Sequence, residues 1–302
     1  MPGTPSKHQF GHYQILSRIG RGGMAEVFRA VDVSGPSPGR TVALKRLSPN
    51  LARDPAYVER FAGEADLCRL LDHPNIVRVY EVGVIRDVYF MVMELIDGRD
   101  LGQLIKRCRE RRVHLPTEFA LYIARTLLDA LACAHEATAP SGKPLDIVHG
   151  DVSASNVFIS RVGEIKLGDF GSARRGAAAP ADGVEGKPFY LSPEVLEGTL
   201  TVHADLWAAT VILYEMLTLE RPFFGKAPAE VFAAIRARSY VPLRERRPEL
   251  PRAIEVIVDR GFSGIDERFG SAREYGAELE LLFDPNVGTP LGVAAVVRGL
   301  FG

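Results

Sequence analysis

The chain has little cysteine, no long apolar run and no excess of charge of either sign. Its 302 residues include only three cysteines, Cys68, Cys108 and Cys133, with no CxxC spacing. All three fall on helix-like patterns, so they read as reduced, packed thiols, and a cytoplasmic setting is expected. Lys plus Arg number 37 against 38 Asp plus Glu, which gives no electrostatic reason to expect nucleic acid or a membrane surface as partner. The N-terminus, MPGTPSKHQFGHYQ, has no apolar core and is not a secretory signal. Near the other end, LGVAAVVRGLF carries Arg298 and is about half as long as a bilayer span, so it reads as a docking or amphipathic helix. Whether a further domain follows it is left open. Internal repeats are absent. The basic run KRCRERR (Lys106 to Arg112) reads as a solvated helix face, and RRGAAAPADGVEG (Arg174 to Gly186) as the one low-complexity loop.

What is present has average globular composition, 46% hydrophobic and 25% charged, enough for one large domain or two lobes. YQILSRIG and AEVFRAVD read as strands flanking a glycine cluster, and TVALKRL as the next strand, after the turn SGPSPGR. A helix is expected from Pro55 to Leu71, then two strands in HPNIVRVYEVGVIRDVYFMVMEL. Five strands and one helix thus form a first lobe over residues 13–97, after a tail of 1–12 and before a turn, DGRD. Residues 98–285 read as a larger, mainly helical lobe, begun by the amphipathic run PTEFALYIARTLLDALACAHE and containing the short strands NVFIS and EIKLGD. Residues 286–302 form a C-terminal helix or tail. The fold class is α+β, bilobal, with a cleft expected between the lobes.

Several residues then carry chemistry. In IGRGGMAEVF, Gly20, Gly22 and Gly23 let backbone N–H groups approach a phosphate chain. No GK[ST] follows, so this is not the lysine-bearing P-loop; the lysine stands on the next strand, in VALK, as Lys45. A lysine flanked by Val42, Ala43 and Leu44 needs a buried partner, and Glu64 on the following helix faces the right way. Asp169, directly after the apolar strand EIKL, and Asn156 offer hard oxygen ligands suited to Mg²⁺. Asp151 is left to accept or orient a hydroxyl proton.

VALK, HxDxxxxN, DFG and SPE in this order resemble the eukaryotic-like protein kinases, closest to the bacterial serine/threonine kinases, over residues 13–283. The resemblance implies an ATP-dependent kinase acting on protein serine or threonine, with Mg²⁺ or alternatively Mn²⁺ as metal. It implies that Lys45 contacts the α- and β-phosphates, that Glu64 anchors it, that Asp151 is the catalytic base, and that Asn156 and Asp169 bind metal. Met93 becomes the gatekeeper, Glu94 to Ile96 the adenine-pairing hinge, Val27, Ala43 and Phe158 the adenine sandwich, and Asp100 a ribose contact. Glu194 of SPE is implied to pair with Arg268, and Asp205 to bond the catalytic-loop backbone. Pairing with a second copy through the first lobe is left open. So are two alternatives: a nucleotide-holding pseudokinase scaffold, and a small-molecule phosphotransferase, which does not normally carry the SPE segment.

The chain departs from the family pattern at four places. Ala25 replaces the third glycine of the phosphate loop, a mild change. Gly150 stands where the family has arginine between histidine and aspartate. Ser153 stands where the family has the lysine that balances charge on the moving phosphoryl group. Lys187 stands where the family has a threonine that packs against that aspartate and lysine. Hydroxyl and ammonium have therefore exchanged places, and Lys187 is expected to reach back to Asp151. The stretch Ala173 to Phe189 contains no Ser, Thr or Tyr, so both the phosphate acceptor and the cation to bind it are missing. Activity independent of phosphorylation in that stretch is predicted; an activating phosphate mapped there by mass spectrometry would contradict it.

Overall fold

The computed structural model describes residues 9–139, 141–175, 187–282 and 284–302. The chain divides into two compact units, one of residues 1–72 with 77–96, the other of 73–76 with 97–302.

The first unit is a curled antiparallel sheet with one helix: β1 (Gln9–Phe10), β2 (Tyr13–Arg21), β3 (Ala25–Asp32), β4 (Thr41–Leu47), α1 (Pro55–Leu70), β5 (Val79–Ile85) and β6 (Val88–Glu94), in the sheet order β1-β2-β3-β4-β6-β5. The sheet has six strands rather than five, because pairing starts inside the expected tail. Phe10 is buried, with its ring edge-on to Phe90 at 5.4 Å, and that burial holds β1 on β2. The hairpin from β5 to β6 turns through Arg86 and Asp87, both at positive φ (48° and 62°), the geometry of a two-residue turn whose twist matches its strands.

Strand β4 is central and buried on both faces, which is why VAL-K-RL reads as a continuous apolar run broken only by charge. Alternation divides its side chains. Val42 and Leu44 pack with Phe10, Tyr13, Ala30, Phe90 and Val92, whereas Leu47 packs with Phe61 and Ala65 of α1. Lys45 stands in register with Met91, which packs on the α1 side, so Lys45 faces α1. Helix α1 is begun by Asp54, whose carboxylate accepts from Ala56 N at 3.0 Å, with Pro55 in the first turn.

The second unit contains β7 (Gly98–Asp100), α2 (Leu101–Arg111), α3 (Thr117–His135), β8 (Ile147–Val148), β9 (Val157–Ser160), β10 (Ile165–Leu167), β11 (Arg174–Arg175), α4 (Pro193–Leu196), α5 (Val202–Thr218), α6 (Pro228–Arg236), α7 (Leu243–Arg246), α8 (Arg252–Gly261), α9 (Ala272–Glu280) and α10 (Pro290–Phe301). Two readings from sequence change here. DGRD is not simply a turn, since Gly98–Asp100 pairs with β9. The close approach demands Gly98: a Cβ there would lie 1.9 Å from Ile159 O. The basic run is not merely a solvated face either. Arg107 Nε donates to Leu300 O (3.1 Å), Arg111 to Gly299 O (2.8 Å) and Arg109 Nε to Leu219 O (2.8 Å), so guanidinium groups cap the ends of α10 and α5. Of the low-complexity loop, Arg174–Arg175 pairs with β8, and residues 176–186 lie outside the described residues.

Helix α5 is apolar almost all round and is the buried axis of this unit. No helix among the described residues is long and apolar enough to cross a membrane. Around α5, Trp207 stacks on Phe223 (5.2 Å), and Phe262 meets Trp207, Phe223 and Tyr240 at 5.1, 5.1 and 4.8 Å. Phe262→Ala is expected to cost about 3–5 kcal/mol, because the cluster has rings on several sides of the void; urea unfolding would measure it.

Candidate active site

In the first unit the sheet's alternation delivers Lys45 to Glu64. Lys45 Nζ donates to Glu64 Oε1 at 2.6 Å, and both residues are buried, at 7% and 3% exposure. An ammonium so enclosed without a carboxylate would be strongly disfavoured. Val27 stands in register with Lys45, and Ala43 with Met93. Glu94 ends β6 with its N–H donating to Arg78 O at 2.8 Å, and Ile96 follows, half-buried.

The turn from β2 to β3 is closed by Gly22 N on Ala25 O at 2.8 Å. A Cβ at Gly23 would meet nothing within 4 Å, one at Gly22 only Ala25 O at 3.6 Å, and one at Gly20 only Val27, at 3.6 Å or more. None of these three has positive φ. Neither turn geometry nor internal packing therefore requires glycine there.

The second unit carries the loop from His149 to Asn156 between β8 and β9. Asp205, 1% exposed near the start of α5, fixes one end of it. Its carboxylate accepts from His149 N (2.8 Å) and Gly150 N (2.9 Å) and meets His135 Nε2 at 2.9 Å. Burial alone would push that carboxyl up, but these donors hold it below the usual range. Gly150 has φ 74°, where a residue without Cβ bears no strain. The His149 ring accepts from Asp151 N through Nδ1 (3.2 Å), meets Gly168 O through Nε2 (3.1 Å), and packs on Phe170 at 4.5 Å. The ring thereby ties this loop to the segment bearing Asp169, itself at φ 61°.

Asn156 fixes the other end, donating through Nδ2 to Asp151 O (2.8 Å) and Asp151 Oδ2 (3.0 Å). With the nitrogen committed, its Oδ1 lies 3.5 Å from Ser155 Oγ and stands as a hard oxygen donor. Among the described residues no three His, Cys, Asp or Glu side chains gather as a metal cage. Asn156 with Asp169 fits instead a metal that takes few protein ligands and completes its shell with phosphate and water, as Mg²⁺ does.

Lys187 Nζ donates to Ser153 Oγ at 2.6 Å and lies 3.4 Å from Asp151 Oδ2. Ser153 is fully buried, whereas the Lys187 side chain is 42% exposed. Both partners of Asp151 thus meet Oδ2. Its Oδ1 is buried with no hydrogen-bond partner among the described residues, and Asp151 lines a small cavity with Lys187, Tyr190 and Ser192.

Of the remaining expected residues, Phe158 stands in register with Asp100 across β9 and β7. Asp100 also serves the fold, since its carboxylate caps α2 by accepting Gln103 N at 2.8 Å, and burial pushes its carboxyl up. Glu194 meets Arg268 through two hydrogen bonds, of 2.6 and 3.3 Å. Arg268 also donates to His203 O and Ser263 O and lies over the Trp207 ring. Sequence reasoning missed Tyr190, whose hydroxyl donates to Glu215 Oε2 at 2.5 Å. The only local signal was a tyrosine near SPE and a glutamate on an otherwise apolar helix.

A model of the protein kinase domain matches residues 13–258. The chain belongs to the protein kinase family. It is 34% identical over 99% of its length to the tyrosine-protein kinase MasK of Myxococcus xanthus, of which it covers 47%. It is 34% identical over 91% of its length to the serine/threonine-protein kinase PrkC of Bacillus subtilis, covering 41%. With the serine/threonine-protein kinase PknB of Mycobacterium leprae it shares 31% over 91% of its length, covering 44%. The chain thus spans less than half the length of these relatives. Removing Arg268 would leave Glu194 largely buried and unpaired, so Arg268→Ala is expected to cost about 3–5 kcal/mol. Denaturant unfolding of the two proteins side by side would measure the loss.

Proposed function

We propose that the chain is an ATP-dependent protein kinase that phosphorylates serine or threonine of protein substrates. The observation carrying this reading is Asp151, held by Asn156 and Lys187 through one carboxylate oxygen while the other stays buried and unpartnered among the described residues. A carboxylate oriented in this way, with one oxygen uncommitted, suits the proton of an incoming hydroxyl. The names of PrkC and PknB favour serine or threonine, and that of MasK favours tyrosine. The serine/threonine assignment follows the larger set of relatives named so.

In this reading Lys45, kept in place by Glu64, grips the α- and β-phosphates. Gly20, Gly22 and Gly23 leave their backbone open to the phosphate chain, the one evident reason for glycine where the fold itself needs none. The kinase reading assigns Val27, Ala43 and Met93 of the first unit, and separately Phe158 of the second, to adenine recognition, and the backbone from Glu94 to Ile96 to pairing with its edge. Asp100, already a helix cap, is the residue this reading assigns to the ribose. Asn156 and Asp169 would hold Mg²⁺ or Mn²⁺, which when bound neutralises phosphate oxygens. The substrate hydroxyl oxygen forms the new P–O bond as the bond from the γ-phosphorus to the bridging oxygen of ADP breaks. Its proton passes to the Asp151 carboxylate. Lys187 supplies the cation that Ser153 does not, facing the charge that develops on the phosphoryl group. Catalysis here is mostly positioning and charge.

A cytoplasmic setting belongs to the same proposal. Cys108 is a buried thiol outside any disulfide, and burial pushes it up to about 11, so it is inert. No observation favours the pseudokinase scaffold.

The test is transfer of labelled γ-phosphate to a generic protein acceptor, followed by phosphoamino-acid analysis. Asp151→Asn is predicted to lower kcat by about 10²–10⁴-fold with nucleotide binding retained. Lys187→Ala is predicted to lose on the order of 10²-fold in kcat, the scale of one transition-state donor. No transfer by the wild type, or transfer to tyrosine alone, would overturn the reading.

A further inference from the structure

The ammonium nearest Asp151 does not belong to the loop that carries Asp151. It belongs to the segment leading into α4, so its place depends on how that segment is fastened. Lys187 opens a tight turn, Pro188–Tyr190, closed by Tyr190 N on Lys187 O at 2.9 Å. At the far end of the turn, the Tyr190 hydroxyl donates to Glu215 Oε2 at 2.5 Å. One phenol therefore joins the segment to α5.

Glu215 is 4% exposed, and burial pushes its carboxyl up, so it depends on its partners. Tyr190 is one. Arg221 is another, with Nε 3.4 Å from Glu215 Oε1. The Arg221 guanidinium also lies over the Phe189 ring, 3.6 Å from its centre, gripping the same turn from its outer side. Lys187 by contrast has a long, 42% exposed side chain whose hydrogen bonds are those to Ser153 and Asp151. Such a side chain does not hold itself in one rotamer against its entropy. Its position is inherited from the backbone turn.

We infer that Tyr190, with Glu215 and Arg221, is a positioning anchor that sets Lys187 on Ser153 and Asp151, so that docking of the 187–196 segment itself completes the active centre. The inference rests on the kinase reading and deepens it. A lysine built into the catalytic loop is present whatever the segment does. An ammonium carried by the segment arrives only when the segment is docked. Control passes from a phosphate, for which Ala173 to Phe189 holds no acceptor and position 150 no arginine, to whatever holds or releases the turn. A protein substrate seated on this segment is one such agent.

The experiment compares Tyr190→Phe in two backgrounds: the wild type, and the reciprocal exchange Ser153→Lys with Lys187→Thr, in which the catalytic loop carries the ammonium. In the wild type, Tyr190→Phe is expected to lower kcat roughly tenfold or more, with KM for ATP little changed. In the exchanged background the same substitution is expected to cost less than about twofold. Equal losses in both backgrounds would make Tyr190 merely structural and overturn the inference, as would no loss in the wild type.

A second measurement needs neither turnover nor the exchanged pair. Amine acetylation read by mass spectrometry should label Lys187 faster in Tyr190→Phe than in wild type, relative to the exposed Lys106. Unchanged labelling would overturn the anchor. Because labelling is independent of activity, failure of the kinase reading, no transfer by wild type with any acceptor, is told apart from failure of the anchor.

Discussion

The proposed reaction needs a positive charge beside Asp151, and Lys187 Nζ stands there, donating to Ser153 Oγ and 3.4 Å from Asp151 Oδ2. Ser153 is fully buried and accepts that ammonium at 2.6 Å, so the serine is a fitted partner and not a gap. The exchange preserves the chemistry of a hydroxyl packed against an ammonium while reversing which segment supplies each. Much else in the second unit serves this contact. Asp205 pins the start of the loop, Asn156 closes its end, and His149 joins it to the segment of Asp169.

The departure at Gly150 belongs instead with the missing phosphate acceptor. A loop arginine is of use where a phosphate is to be bound, and this chain has no acceptor for one from Ala173 to Phe189. At φ 74°, glycine at position 150 also frees the loop of the strain that a side chain would bring. The bonds that fasten the docked segment are uncharged or internally balanced: a phenol on a carboxylate, a guanidinium on that carboxylate and on a ring.

How much of this is legible in the sequence depends on the distance over which each contact is made. Lys45 and Glu64 are readable because strand alternation and helix spacing are local rules, and together they leave a buried ammonium facing one carboxylate. Lys187 is readable only through the paired departures from the family pattern. The Tyr190–Glu215 pair is not readable, since a tyrosine near SPE and a glutamate on an apolar helix do not say that the two meet. For the same reason the basic run of α2 misleads: its arginines cap carbonyls at Leu219, Gly299 and Leu300, far along the chain. The sheet edge at Phe10 and the pairing of Gly98–Asp100 with β9 are set by tertiary packing, which overrides weak local signals.

The central claim, that one ammonium serves the reaction from either of two positions, is tested most directly by a double-mutant cycle on kcat. Lys187→Thr removes the charge, and Ser153→Lys alone crowds a second ammonium into a fully buried position. Each is predicted to lose about 10²-fold, while the pair together recovers to within about tenfold of wild type. Losses that simply multiply in the double variant would contradict the account.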